Sequence, residues 1–331
     1  MARLFLLLIL LFVVAFCADI LFGSVILPAG DVWAALTGNN GDEIVREIIL
    51  NHRLPKALTA VLIGAALSVA GVLMQTLFHN PLAGPDVLGV TSGAGLGVAL
   101  LTLGSSLLPV WLLGWGQVTA AFVGAMGVLL LVIAVAMRIR QSVFLLILGM
   151  MFGYFTSAIV NVLQSFSNPD TLKLFVTWTF GSLSAVSWDY MQLLAPLIAG
   201  GILLSYLLQK PLNVFSLGDN YAIGLGVNVK RLRLWALFAT ALLSGVSTAF
   251  TGPIAFIGIT IPHIARGLFR TSNHRILLTA SILCGSITLL LCDLISQLPG
   301  TNGTLPINAV TALIGVPIIV WIVIRNSRRI S

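Results

Sequence analysis

From Ala57 to Phe78 the chain carries no charged side chain. About 20 apolar residues suffice to cross a bilayer's hydrocarbon core, so this stretch predicts a membrane-spanning helix. Basic residues stand at its start, in Arg53-Leu54-Pro55-Lys56, and a proline-braced turn, His79-Asn80-Pro81-Leu82-Ala83-Gly84-Pro85, stands at its end. Within the span, Ala60, Gly64 and Ser68 recur every four residues. Such a ridge of small residues lets a second helix approach closely where lipid supplies no hydrophobic drive. Gln75 is the one strongly polar residue of the stretch. Asn80 before Pro81 and Gly84 before Pro85 stiffen the exit, which cannot continue the helix, so the chain reverses there.

The same pattern repeats along all 331 residues, of which 58% are hydrophobic and only 8% charged. Soluble domains carry roughly 25% charged residues. One span with a short loop takes roughly 30 residues, so the chain holds about ten spans. It reads as an all-α, polytopic membrane protein, a single transmembrane domain over residues 1–331 with no room for a sizeable soluble domain. The expected spans are 4–22, 57–78, 87–103, 118–137, 143–166, 190–208, 234–250, 253–269, 276–298 and 307–324. Residues 24–52 read as a solvated segment with a Gly38-Asn39-Asn40-Gly41 turn. Residues 167–188, opening with Asn168-Pro169-Asp170, read as a helix start that re-enters the outer interface. Residues 213–233 form a polar insertion that fits two short helices around glycine turns. The first apolar run exceeds a typical signal-peptide core and lacks a small-x-small cleavage site, so it is expected to stay as a span.

The formal net charge of +7 does not point to nucleic acid, because the basic residues are scattered at the ends of apolar runs. With a cytoplasmic N-terminus and ten spans, thirteen of the 17 Lys and Arg residues fall on the inner side. That satisfies the positive-inside bias and predicts both termini in the cytoplasm. Cys17, Cys284 and Cys292 lie in apolar stretches without metal-binding or redox spacing and read as small hydrophobes.

Enzyme chemistry finds no support. His52, His79, His263 and His274 include no His-Glu-x-x-His pair, and no Ser, His and carboxylate set shares a predicted depth. His263 after Pro262 reads as an interfacial residue. An ion-coupled secondary transporter is the rival class, and such machines place carboxylates near the bilayer middle. Asp19, Asp86, Asp189 and Asp293 all fall near predicted span ends, where Asp293 is expected to cap or pair locally. The chain also has no Gly-x-x-x-x-Gly-Lys-[Ser/Thr] loop, so nucleotide energy must enter through another protein. The 213–233 insertion, longer than an ordinary connector, is the surface suited to docking one.

Beyond the opening stretch stand Leu88-Gly89-Val90-Thr91-Ser92-Gly93-Ala94-Gly95, then Gly252-Pro253-Ile254-Ala255-Phe256-Ile257-Gly258, Ile261-Pro262-His263 and Ala312-Leu313-Ile314-Gly315-Val316-Pro317. With the Asn-Pro-Leu-Ala turn, these resemble the FecCD and BtuC-like family, the membrane permease subunits of type II ABC importers for iron-siderophores, haem and vitamin B12. The resemblance implies a transport subunit that binds no cofactor or metal itself, ATP and Mg²⁺ residing on two partner ABC ATPases. It also implies a second permease subunit, identical or paralogous, a periplasmic or lipid-anchored substrate-binding protein, and a place in the bacterial inner membrane. An iron-siderophore is the favoured cargo on family breadth, with haem and cobalamin open. By the same resemblance, Asn80 and Leu82 match the inner gate, as do Gln141 and Ser142 more loosely. Leu217, Gly218, Asp219, Ala222, Leu225 and Gly226 match the ATPase-coupling segment, with Leu217, Ala222 and Leu225 as its apolar knobs. Arg53 and Lys56 match basic residues that dock the binding protein, the alternative being simple anchoring of their span. Where relatives carry an arginine near the outer end of span 9, this chain has Gln297.

Overall fold

The computed structural model describes residues 1–23, 27–37, 43–105, 116–138, 142–297 and 304–327, and among them no strand occurs. Ten helices match the ten expected spans. Seven are long and apolar enough to cross a membrane, and three shorter apolar ones complete the set. The spans are α1 (Ala2–Leu21), α4 (Leu54–Leu77), α5 (Val90–Thr102), α6 (Gln117–Ala136) and α7 (Ser142–Ser165) in the first half. In the second half they are α9 (Trp188–Leu207), α12 (Val229–Thr251), α13 (Ile257–Phe269), α14 (His274–Ser296) and α15 (Ile307–Ser327). Between them lie the short helices α2 (Ala29–Thr37), α3 (Glu43–Glu47), α8 (Pro169–Thr179), α10 (Gln209–Phe215) and α11 (Asp219–Gly224).

Helix α4 is the hub. It is almost wholly buried and packs against α14, α12, α13 and α9. The small-residue ridge explains how: a β-carbon on Gly64 would collide with the backbone of Gly285 in α14, and one on Gly71 with Gly258 in α13. Close backbone approach maximises van der Waals contact, the main attraction between helices in lipid. Helices α5 and α6 meet the same way through Gly93, Gly97 and Gly124. By contrast, α1 and α7 leave most of their apolar side chains on the outside of the chain, as a lipid-facing or subunit-facing helix does.

The structure differs from the sequence reading before the second span. The segment expected to be solvated contains α2 and α3, and a π-helical stretch, Ile48–Arg53, runs without a break into α4. Pro55 in the first turn of α4 has no N–H to donate and crowds the preceding turn. A widened π turn accommodates that ring without ending the helix. Arg53 and Lys56 therefore sit inside one continuous helix, Glu43–Leu77, rather than ahead of a new one. The start of α8 is as expected: Asn168 Oδ1 accepts from the Thr171 amide at 2.9 Å, with Pro169 in the first turn.

Candidate functional site

The turn after α4 is built as its sequence dictates. His79 takes a left-handed conformation (φ 46°), Asn80 Oδ1 accepts from the Leu82 amide at 2.9 Å, and Pro85–Leu88 forms a single 3₁₀ turn before Gly89 opens α5. Leu82 is left 45% exposed at the tip. Two bonds tie the base of the turn to α13: Gln75 Nε2 donates to the Ile259 carbonyl at 3.0 Å, and His263 Nε2 donates to the Pro81 carbonyl at 2.7 Å. Arg266 also donates to Gln75 Oε1. His263 is thus an internal brace for the turn. Of the other expected gate residues, Gln141 lies outside the described residues, and Ser142 is described only as the first residue of α7.

The insertion forms two short helices, α10 and α11, turned by Gly218 (φ 115°) and Gly226 (φ 81°). Both angles are ones that a β-carbon disfavours, whereas Gly224 closes α11 without a positive φ. The insertion ends earlier than expected, since residues from Val229 onward belong to α12, capped by Asn228 Oδ1 on the Arg231 amide. Asp219 pairs with Arg233 at 2.6 Å and so clips α11 to α12. Leu217 and Leu225 are about two-thirds exposed, as apolar knobs should be (66% and 65%). Ala222 is a correction: it is fully buried beneath α11 and cannot be a knob. The side chains exposed on either side of it are Tyr221 and Ile223, at 70% and 61%.

The 209–228 insertion and the turn after α4 are joined through two histidines, a connection with no local signal in the sequence. His79 Nε2 donates to the Phe215 carbonyl at 3.2 Å, its ring 4.9 Å from the Phe215 ring. His274, at the start of α14, donates from Nδ1 to Asn213 Oδ1 at 2.8 Å, and its Nε2 lies 2.8 Å from the Thr76 hydroxyl in α4. These contacts join α10 to the last turn of α4.

At the other end of α4 the expected docking cations are turned inward. Arg53 is 6% and Lys56 7% exposed. Arg53 donates to the Ile20 and Leu21 carbonyls, both at 2.8 Å, where the α1 C-terminus attracts positive charge. Lys56 Nζ pairs with Asp293 Oδ2 at 2.7 Å, and Gln297 donates to the same oxygen at 2.6 Å. Asp19, fully buried, lies among these charges. The docking role is withdrawn for these two side chains, because each is buried and held by internal partners. Asp293 thus pairs locally with Gln297 at the end of its own helix, as expected, and also across helices with Lys56.

The chain matches the FecCD transport family model over residues 9–325. It is 37% identical over 307 residues to the vitamin B12 import system permease protein BtuC of Salmonella arizonae, covering 91% of this chain and 90% of that one. The corresponding protein of Citrobacter koseri is 38% identical over 306 residues, with the same coverage. Among solved structures, a metal-chelate type ABC transporter in an inward-facing conformation superposes with a TM-score of 0.86 at 28% identity, covering 98% of this chain and all of that one. PsaBC from Streptococcus pneumoniae shares the fold at a TM-score of 0.54 and 17% identity. A match spanning nearly every residue places this chain in the FecCD transport family, as a multi-pass ABC-importer permease that is a transport subunit and not an enzyme.

Proposed function

We propose that this permease moves a metal chelate across the bacterial inner membrane, driven by ATP hydrolysis on two separate ABC ATPases that dock on α10 and α11. The observation that carries the cargo class is the identity to vitamin B12 permeases across nine-tenths of the chain. A corrinoid is accordingly the first cargo to test. An iron-siderophore is the second, because the metal-chelate type structure superposes over the whole length. Haem belongs to the same test. A binding protein delivers the chelate from outside, and a second permease subunit completes the pathway. Both termini and the 209–228 segment face the cytoplasm in this reading, supported by the cation count.

The test is uptake into proteoliposomes holding the permease with its ATPase and binding protein. One of cyanocobalamin, a ferric siderophore or haem should accumulate only with ATP on the ATPase side. Uptake driven by a proton or sodium gradient without ATP would return the chain to the ion-coupled class.

Asn80 and Leu82 form the inner gate in this reading, the exposed Leu82 tips of two subunits closing the pathway from below. A Leu82→Cys variant should crosslink between subunits, with a yield that changes several-fold between nucleotide-free and nucleotide-trapped complexes. Equal yield in both states would reduce the turn to a static dimer contact.

A further inference from the structure

Beside the gate turn, α13 presents His263, Arg266 and Arg270 along one side to a cavity of about 1060 Å³. Positions three, four and seven apart share a helix face, so the basic side chains form one stripe. Gln75 and His79 close the cavity from the α4 side, and Ile318, Trp321 and Ile322 of α15 form its apolar wall. No acidic side chain among the described residues lines it. Among the described residues, neither Arg266 nor Arg270 has a carboxylate within ion-pair distance. Arg266 is half-buried and spends one donor on Gln75, while Arg270 ends the helix in a left-handed cap with its side chain exposed.

Two guanidinium groups with no counter-charge among the described residues, at the end of a membrane helix, suit an anion from outside the chain. Guanidinium presents a planar fork of donors that fits the oxygens of a phosphate. The apolar wall on the opposite side fits a hydrocarbon chain attached to that phosphate. Basic pockets between membrane helices on the cytoplasmic side are suited to anionic headgroups. We propose that this cavity binds the phosphate-bearing headgroup of an anionic phospholipid, with Arg266 and Arg270 on the phosphate and the Trp321 side against the first part of an acyl chain. A lipid held there touches the same helix that braces Pro81 through His263, so its occupancy would bear on the gate turn. The site does not depend on what the permease carries or on what drives it.

The test is native mass spectrometry of the purified full-length protein, titrated in detergent with phosphatidylglycerol and, separately, with phosphatidylcholine. Phosphatidylglycerol should be retained preferentially. Arg270→Gln should weaken that retention several-fold, and Arg266→Gln with Arg270→Gln on the order of tenfold, leaving phosphatidylcholine unchanged. Arg270→Lys should keep most of it. Because Arg270 is exposed, Arg270→Gln and Arg270→Glu decide the matter even if the double variant elutes as aggregate. Equal retention of both lipids, or retention indifferent to the Arg270 variants, would overturn the proposal. A competition arm with inorganic phosphate separates the sources. Displacement by phosphatidylglycerol vesicles but not by millimolar phosphate supports a lipid. Binding of phosphate, or of an anionic chelate, without lipid preference refutes one.

Discussion

Replacing Leu225 by Asp is expected to abolish transport while leaving the permease folded and inserted. Leu225 is 65% exposed in the chain and stands with Leu217, Tyr221 and Ile223 on the insertion that links α9 to α12 through the short helices α10 and α11. An apolar patch of this kind, on a segment read as the ATPase dock in the proposed function, is stabilised by covering it. A carboxylate placed in its centre would have to be desolvated in the docked state without a partner, at a cost of about 3 kcal/mol, roughly a hundredfold in affinity. The ATPase subunits should then fail to co-purify at concentrations that saturate the parent complex. Because Leu225 is about two-thirds exposed, thermal stability of the isolated permease should stay within about 0.5 kcal/mol. Full transport with normal ATPase retention would make the segment a passive connector and would also undo its assignment to the cytoplasmic face.

The spans were legible because each is an apolar run of near-membrane length, and length and hydropathy are properties of the local sequence. The close-packed contacts were legible in half. Ala60, Gly64 and Ser68 announced a helix contact, but nothing local said that Gly285 would be the residue met there. Ala222 was misjudged for a related reason. A helix of six residues is too short for a periodic signal, so which side faces inward is settled by the tertiary fit of α11 over α10 and α12. His79 and His274 carried no local signal beyond lacking a metal-ligand spacing, and their contacts with α10 appear only when α10 is folded back beneath α4. Arg53 and Lys56 were the largest error of the sequence reading. Their position before an apolar run suggested a boundary, whereas the π-helical turn carries the helix on past them and draws both charges inside.

That inward turn has an energetic consequence, and removing the Lys56 charge is the most damaging single change expected at the N-terminal end of α4. Lys56 and Asp293 are both at least nine-tenths buried and 2.7 Å apart, and Asp19 lies beside them without a hydrogen-bond donor among the described residues. Removing one partner of a buried pair leaves an uncompensated charge, which typically costs about 3–5 kcal/mol. Lys56→Met conserves much of the side chain's apolar bulk, so a loss on that scale would be electrostatic rather than a packing defect. Replacing both partners, Lys56→Met with Asp293→Leu, should restore much of the stability, because a well-packed apolar pair avoids the desolvation cost that the ion pair only partly offsets. Asp19 decides how complete the recovery is. With Lys56 gone it retains Arg53 as its cationic neighbour, and adding Asp19→Asn to the double variant should recover more. Membrane proteins often unfold irreversibly, so the measurement is the half-life of the folded protein in detergent at a fixed elevated temperature. The expected order is parent and triple variant longest, double variant next and Lys56→Met far shortest. If the single and double variants decay at the same rate, Lys56 and Asp293 are uncoupled. The cluster would then hold α1, α4 and α14 together through the bonds from Arg53 to the end of α1 rather than through the ion pair.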